Sequence, residues 1–212
     1  MYFAKEAWTF VLPPALGALI LTALDKVVGG AILAGLAILL LLFFRIPRRE
    51  SSAQSSVILA PANGRILSLD AVEDPTVGGG TFHRIVTFLS VFDVHVQRAP
   101  TDGEVVVSRY SPGRGVAAFR SNAGKVNQQH LTVLQRENGD LVGIRQIAGL
   151  VARRVVSYRQ SGDSVSRGDL LGLIKFGSRV DLLVPVSYHL EVRVGQRLRE
   201  GHTPVARTGG AT

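Results

Sequence analysis

The chain contains no cysteine, and this absence removes several chemistries at once. Without a thiol, the protein has no disulfide framework, no thiolate nucleophile and no cysteine-based zinc site. The sequence also shows no glycine-rich nucleotide-binding loop and no residue spacing typical of a metal site. If the protein is an enzyme, its reactivity must therefore come from another source.

Aromatic residues are scarce, with one Trp and four Tyr among 212 residues, whereas basic residues are abundant. The formal net charge of +8 predicts an anionic partner, either a nucleic acid or an acidic membrane surface. No run of Lys and Arg interleaves with aromatic residues, so we predict that the partner is not nucleic acid. A generally basic, solvated surface is the alternative explanation of the charge.

Long uncharged runs are confined to the N-terminus, at Trp8–Leu24 and Val27–Phe44. A helix that crosses a membrane needs about 17–25 apolar residues, so each run has only the minimum length. Asp25 and Lys26 separate the two runs. We therefore predict that residues 1–45 form a hydrophobic α-helical hairpin that anchors the chain to a membrane. A cleaved signal peptide does not fit two apolar runs.

The charges that flank the hairpin indicate its orientation. Lys5 precedes the first run, and Arg45, Arg48 and Arg49 follow the second. Because basic flanks tend to stay in the cytoplasm, we expect the rest of the chain on the cytoplasmic side of the cell (inner) membrane. The alternative topology is a hairpin that enters the membrane without crossing it.

Beyond the hairpin, residues 46–56 are predicted to form a polar linker, and residues 57–212 have the residue pattern of a β-rich domain. Short runs of β-branched residues alternate with turn-forming pairs such as Asn63-Gly64 and Asp102-Gly103. The predicted fold class is mainly β, a folded-over sheet resembling a barrel-sandwich, behind the helical hairpin. The predicted strands are 57–59, 65–69, 84–89, 94–96, 104–107, 131–134, 142–147, 155–158, 170–176 and 180–184.

A Gly177-Ser178 pair lies inside a strand-like run late in the chain. In such a run, a serine hydroxyl can lie against the carbonyl of its own preceding residue. This geometry suits a chain that cuts itself and converts the new N-terminal serine into a pyruvoyl group. A Phe-Gly-Ser triplet alone is a weak signal, since most such triplets are ordinary strand or turn residues.

Five ordered blocks strengthen the signal. With them, the chain resembles the phosphatidylserine decarboxylase family, in its short membrane-anchored form, from about residue 5 to residue 206. The blocks are Phe43-Phe44-Arg45-Ile46-Pro47, Ala60-Pro61-Ala62-Asn63-Gly64, Asp93-Val94-His95-Val96-Gln97-Arg98-Ala99-Pro100, Gln146-Ile147-Ala148-Gly149-Leu150-Val151-Ala152-Arg153-Arg154 and Gly172-Leu173-Ile174-Lys175-Phe176-Gly177-Ser178-Arg179-Val180-Asp181.

The resemblance implies cleavage between Gly177 and Ser178, giving a β chain of residues 1–177 and an α chain of residues 178–212 that form a heterodimer. It implies a pyruvoyl cofactor made from Ser178, which forms a Schiff base with the substrate amine, and requires neither metal nor pyridoxal phosphate. The implied reaction is decarboxylation of phosphatidylserine, an anionic phospholipid, to phosphatidylethanolamine in phospholipid biosynthesis. Archaetidylserine fits the same blocks as a substrate.

His95 is the candidate base for self-cleavage, because a neutral serine hydroxyl is a poor nucleophile. A lone strand histidine is usually packed or solvent-facing, and only its place in the Asp-Val-His block favours catalysis. Some longer relatives carry a second histidine three residues later, where this chain has Arg98. His95 would then serve both the cleavage and the later protonation.

Asn63 is the main departure, since the family normally has aspartate there, orienting the histidine in an Asp-His-Ser relay. An amide oxygen accepts an imidazole N–H but does not stabilise the imidazolium, and that change slows triad enzymes by up to about 10⁴. Asn63-Gly64 also simply suits a tight turn. Three explanations remain open: a slow single maturation is tolerated, deamidation of Asn63 generates the aspartate, or the chain is an uncleaved, non-catalytic, membrane-anchored lipid-binding β module.

Overall fold

The computed structural model describes residues 1–49, 54–113, 126–149, 154–175 and 178–209. These residues divide into two compact units, Met1–Arg48 and Arg49–Thr212. The division falls inside the segment that the sequence predicts to be a linker, residues 46–56.

The first unit is an antiparallel helical hairpin closed by a short pair of strands. Its helices correspond to the two uncharged runs, because neither run contains a charge or a polar cluster that would end a helix early. Tyr2 lies opposite Ile46 in the strand pair. In chain order the elements are β1 Tyr2–Phe3, α1 Ala7–Ala23, α2 Val27–Phe43 and β2 Arg45–Ile46.

Small residues let the two helices approach closely. A Cβ atom on Gly30 would lie 2.3 Å from Thr22 Oγ1, and one on Gly17 would lie 2.8 Å from a Leu33 methyl group. Many large apolar side chains of both helices remain exposed, among them Leu19 at 69% and Ile32 at 66%. Among the described residues, neither helix combines the length and apolar character needed to cross a membrane.

In its described residues, the second unit, which we call the β domain, consists of strands of two to ten residues and one 3-10 turn at Pro75–Val77. The strands are rich in β-branched and apolar residues, and glycine-containing turns separate several of them. The strands are β3 Val57–Leu59, β4 Gly64–Glu73, β5 Thr81–Leu89, β6 Val96–Arg98, β7 Gly103–Ser111, β8 Gln129–Gln135, β9 Leu141–Ala148, β10 Val155–Ser157, β11 Ser164–Val165, β12 Leu170–Ile174, β13 Ser178–Pro185, β14 His189–Leu190, β15 Arg197–Leu198 and β16 Pro204–Arg207.

These strands form one large curled sheet and two small ones, with antiparallel pairing throughout the described ladders. The large sheet has the order β11-β7-β8-β9-β13-β5-β4-β15, and the small sheets have the orders β10-β12-β6 and β14-β16-β3. Residues from all three sheets share the main hydrophobic cluster, including Ile58, Leu171 and Leu182. The prediction of a mainly β, folded-over domain behind a helical hairpin is confirmed.

The large sheet separates two cores. Residues opposite each other in an antiparallel pair point to the same face, and the side-chain direction alternates along each strand. Ser178, Val180 and Leu182 of β13 therefore face the main cluster, whereas Leu183 belongs to a smaller cluster on the other face. The small-cluster face also carries the buried pair of Arg179 and Asp181.

The strand predicted at 94–96 differs from the structure, because β6 begins at Val96 and continues through Arg98. Val94 and His95 precede it outside any regular element, and the His95 ring bonds to the Asp93 backbone. The sequence also indicated a short helix or bend at 149–154. Residues 150–153 of that segment lie outside the described residues, as does Phe176, the last residue of the predicted strand 170–176.

Candidate active site

Ser178 is the first residue of β13, in the middle of the large sheet. It lies opposite Leu89 of β5 and Ala148 of β9, so its backbone is paired on both sides. The residue has no exposed surface, and its Oγ has no hydrogen-bond partner among the described residues. A buried hydroxyl without a partner is uncommon and requires an explanation. Gly177, the other residue of the predicted cleavage site, lies outside the described residues.

His95 is buried next to β6, with 2% of its surface exposed. Its Nδ1 lies 2.8 Å from the backbone oxygen of Asp93. Because a carbonyl oxygen only accepts hydrogen bonds, Nδ1 carries the proton and is the donor. In the neutral ring, Nε2 then bears the lone pair, which is the form that a general base requires.

The backbone brings His95 and Ser178 to the same end of the large sheet. The His95 carbonyl accepts a hydrogen bond from Ile174 N at 3.1 Å, and Ser178 follows Ile174 by four residues. Leu89 of β5 also pairs with Ser178, and His95 follows Leu89 by six residues along the chain. Four residues span at most about 14 Å, which limits the separation between Ile174 and Ser178.

Two buried glutamines hold the backbone of His95. Gln97 Nε2 donates to the His95 carbonyl at 2.9 Å, and Gln146 Nε2 donates to Gln97 Oε1 at 2.7 Å. Gln146 lies directly opposite Val180 in the ladder between β9 and β13. The chain of bonds therefore connects the strand of Ser178 to the residue that carries the imidazole. Both glutamines are almost fully buried, so their bonds do not compete with water.

Neither glutamine is assigned a role from the sequence, although both lie within the resemblance blocks. Neither side chain titrates or acts as a nucleophile, so residue type alone offered no reason to select them. Their positions inside blocks otherwise rich in site residues were the only available signal.

We predict that Gln97→Met slows self-cleavage about tenfold, because it removes the donor to the His95 carbonyl and leaves Gln146 Nε2 without its acceptor. The half-time of precursor conversion in a pulse-chase at several pH values measures the effect. Gln160→Met, at an exposed position, makes the same chemical change away from His95 and should cleave at the wild-type rate. Equal half-times for both variants would contradict a positioning role for Gln97.

Asn63 immediately precedes β4, and the sequence predicts that its side chain orients the His95 ring. In the structure this side chain contacts the backbone of Glu200. Its Oδ1 accepts a hydrogen bond from Glu200 N at 2.8 Å. The Glu200 carboxylate is fully buried and pairs with Arg49 at 3.2 Å. The Asn63 side-chain oxygen thus links the turn before β4 to the backbone of Glu200. The relay between Asn63 and His95 stays a prediction.

The turn at Asn63-Gly64 requires its glycine. Gly64 has a φ of +144°, and a Cβ atom there would lie 2.1 Å from the Phe88 oxygen. Phe88 precedes Leu89, the partner of Ser178. This close approach therefore places Asn63 at the sheet end that carries Ser178.

Arg98 occupies the position of the second histidine in longer relatives, and its side chain bonds to a backbone oxygen. It is 6% exposed, and its Nη1 donates to the Gly168 oxygen at 2.6 Å. A guanidinium stays protonated at neutral pH and does not shuttle protons as an imidazole does.

His130 is a second buried histidine, on β8 opposite Gln146. Burial lowers its pKa from the ordinary value, which favours the neutral ring at pH 7. Ser108 Oγ donates to the Arg159 oxygen at 2.9 Å and lies 3.2 Å from His130 Nε2, so Nε2 must be the donor to Ser108. This tautomer leaves no base at Nε2, and we assign His130 no role in the chemistry.

The surroundings of Ser178 fit a cofactor made from that residue. The hydroxyl is buried among apolar neighbours, and no described side chain competes for it by hydrogen bonding. Among the described residues, no group of three or more His, Asp or Glu side chains could hold a metal ion.

Comparison with known proteins gives the family of the chain. The family model for phosphatidylserine decarboxylase matches residues 36–206. A phosphatidylserine decarboxylase proenzyme of Symbiobacterium thermophilum is 40% identical over 96% of this chain and 94% of its own length. Proenzymes of the same name from Cupriavidus pinatubonensis and Burkholderia ambifaria are 39% and 37% identical, again over 96% of this chain and 94% of theirs. The chain therefore belongs to the phosphatidylserine decarboxylase family, whose members are carboxy-lyases.

Proposed function

We propose that the protein is a self-processing, pyruvoyl-dependent decarboxylase that converts phosphatidylserine to phosphatidylethanolamine in phospholipid biosynthesis. The observation that carries the proposal is the buried Ser178 hydroxyl at the head of β13, with no partner among the described residues. The His95 ring bonds to the Asp93 oxygen through Nδ1, which leaves Nε2 as the base, and we take His95 as the acceptor of the Ser178 proton. The names of the relatives support both the substrate and a precursor that becomes two chains.

Self-cleavage begins at the Ser178 hydroxyl. His95 Nε2 accepts the hydroxyl proton while Oγ attacks the carbonyl carbon of Gly177, and the C–N bond between the two residues breaks. The proton passes to the departing nitrogen, which becomes the amine of Ser178, and Gly177 is now joined to Ser178 as an ester. Nothing is gained or lost in this step, so it needs no other reactant.

Elimination then releases the new chain end. A base removes the Ser178 Cα proton, the bond from Cβ to Oγ breaks, and Gly177 leaves as a carboxylate. Water replaces the nitrogen of the resulting dehydroalanine, ammonia departs, and residue 178 becomes the keto group of a pyruvoyl cap. Once formed, that cap supplies an electron sink for decarboxylation, as pyridoxal phosphate does in other enzymes.

The sheet supports these steps by holding the reacting residue still. The backbone pairs of Ser178 with Leu89 and Ala148 fix its Cα, and the Gln97–Gln146 bonds fix His95 from the other side. Positioning of this kind lowers the barrier without forming any new bond. Burial of Ser178 also keeps water from hydrolysing the ester before elimination.

The decisive experiment compares the wild-type chain with Ser178→Ala on a denaturing gel, with intact-mass analysis. The wild-type precursor of 22.7 kDa should split into fragments of residues 1–177 and 178–212, the smaller one with a blocked, carbonyl-reactive end. Ser178→Ala should stay whole and release no CO₂ from phosphatidylserine. A wild-type chain that remains uncut and inactive would indicate a non-catalytic lipid-binding module instead.

Peptide masses from the same samples show whether maturation requires deamidation of Asn63. Cut protein in which Asn63 is still the amide shows that maturation does not require deamidation at Asn63-Gly64. Cut protein that contains only aspartate at this position would support that route.

We also propose that the hairpin attaches the protein to the cell membrane, with the β domain on the cytoplasmic side. The exposed apolar side chains of α1 and α2 and the basic flanks at Lys5 and Arg45 support this. Trp8, the single tryptophan, is 51% exposed on α1 and reports on the contact. Its fluorescence should be strongly quenched by phospholipids with brominated acyl chains, and unchanged emission would exclude membrane contact of α1.

A further inference from the structure

A short loop between β5 and β6 exposes two apolar side chains. Val91 is 53% exposed and Phe92 is 76% exposed, the highest value for a described large apolar residue of the β domain. The loop is braced by Asp93, whose Oδ2 accepts from both Ser90 N and Ser90 Oγ at 2.8 Å. Since the turn is held closed, Phe92 is presented to solvent by a fixed backbone. The loop therefore presents a small apolar tip to solvent.

Exposed arginines surround this tip. Arg197 Nη1 lies 3.6 Å from Asp93 Oδ1, which places the turn before β15 beside the loop. Arg65 lies directly opposite Arg197 in the pairing of β15 with β4, and both side chains are exposed. Arg193 and Val194 lie in the same turn and are also exposed, Val194 at 58%. We call these six residues the arginine-flanked tip: Arg65, Val91, Phe92, Arg193, Val194 and Arg197.

The acidic groups near the tip do not cancel its charge. The Asp93 carboxylate already accepts two bonds from Ser90 as well as facing Arg197. Glu191, at the start of the same turn, pairs with Arg207 at 2.8 Å. The tip thus carries three exposed arginines, of which Arg197 faces the Asp93 carboxylate, so the surface fits an anionic partner.

The tip lies close in sequence to the reacting residues. Phe92 is three residues after Leu89, the partner of Ser178, and three residues before His95. A surface that holds a bilayer at this point would present lipid headgroups to the end of the sheet where the chemistry takes place.

We propose that the arginine-flanked tip docks the β domain onto an anionic phospholipid bilayer. Phe92 enters the headgroup region and the arginines contact lipid phosphates. Aromatic side chains are favoured at this depth, and anionic lipids attract nearby arginines. The inference rests on the proposed function, because a lipid substrate must be drawn from a bilayer, and it adds a second contact to that of the hairpin.

The test uses full-length protein with a single tryptophan, reconstituted in vesicles of phosphatidylglycerol and brominated phosphatidylcholine. Trp8→Phe combined with Phe92→Trp places the reporter in the tip. The matched control is Trp8→Phe combined with Val186→Trp, since Val186 is 47% exposed and follows the opposite end of β13 from Ser178. Eight strand residues separate the two ends by about 25 Å.

We expect bromolipid to quench the tryptophan at 92 several-fold more than the tryptophan at 186. Adding Arg193→Gln and Arg197→Gln should weaken the quenching, and each arginine contributes about fivefold to association with anionic lipid. Equal quenching at the two positions would overturn the proposal, as would quenching that is undiminished in vesicles without phosphatidylglycerol.

Failure of docking can be distinguished from failure of the proposed function. Each variant is also examined for self-cleavage on a gel and for activity on phosphatidylserine dispersed in detergent, where no bilayer is required. Variants that are cut and active in detergent, but show no extra quenching at position 92, would refute the docking alone. An uncut wild-type chain would refute the decarboxylase.

Discussion

His95→Gln should leave the precursor as one uncut chain near 22.7 kDa under conditions in which the wild-type chain is fully processed. Glutamine is close in size, and its amide can still donate to the Asp93 oxygen, but it does not take up a proton at neutral pH. General bases contribute about 10²–10⁴ to the rates of such steps. A conversion with a half-time of minutes would then take hours to weeks. Time-resolved denaturing gels measure this directly.

His202→Gln is the matched control for this variant. His202 is exposed in a turn of the predicted α chain, and its backbone N–H donates to the Arg199 oxygen. The control should be processed at the wild-type rate. If His95→Gln were processed equally fast, another group would have to remove the Ser178 proton, and the assignment of His95 as the base would be wrong.

Asp181→Asn should lower the free energy of unfolding by about 3–5 kcal/mol, because it leaves the buried Arg179 guanidinium without its carboxylate. Asp181 Oδ1 lies 2.6 Å from Arg179 Nε and its Oδ2 lies 2.8 Å from Nη2, and the side chains are 1% and 6% exposed. Arg145 lies directly opposite Asp181, which adds a second positive charge on this face. The expected decrease in melting temperature is about 6–20 °C.

The measurement is best made in the Ser178→Ala background, where the precursor is a single chain. Asp70→Asn provides the control, since Asp70 makes the same two-pronged contact with Arg84 on the same sheet, but in a more exposed place. It should cost no more than about 1 kcal/mol. Replacing both partners, as Arg179→Met with Asp181→Leu, should recover most of the loss. A decrease for Asp181→Asn no larger than that for Asp70→Asn would contradict this account.

The main outline of the fold was predictable because most strands carry their own signal. The predicted run 57–59 coincides with β3, and the longer strands β4, β5 and β9 contain the runs predicted for them. By contrast, β14 and β15 have two residues each, too few for an alternating pattern to be recognised. Their strand character comes from partners far along the chain, such as Arg65 opposite Arg197.

Candidate site residues could be proposed only where a resemblance block and a reactive residue type coincide. Ser178 and His95 lie in such blocks, and a hydroxyl and an imidazole suit a nucleophile and a base. The bond between Gln97 and Gln146 joins residues 49 positions apart, and the bond between Asn63 and Glu200 joins residues 137 positions apart. Pairings of this kind depend on how the sheets fold over each other, which no local pattern contains.

The central position of β13 has a consequence for the lifetime of the mature protein. Its pairing with β5 and β9 would keep residues 178–212 attached after processing, although the covalent link is gone. If a processed molecule unfolded, however, this short piece would diffuse away with the proposed reactive cap. Refolding would then require two molecules to meet, so the durability of the enzyme would depend on how slowly it opens.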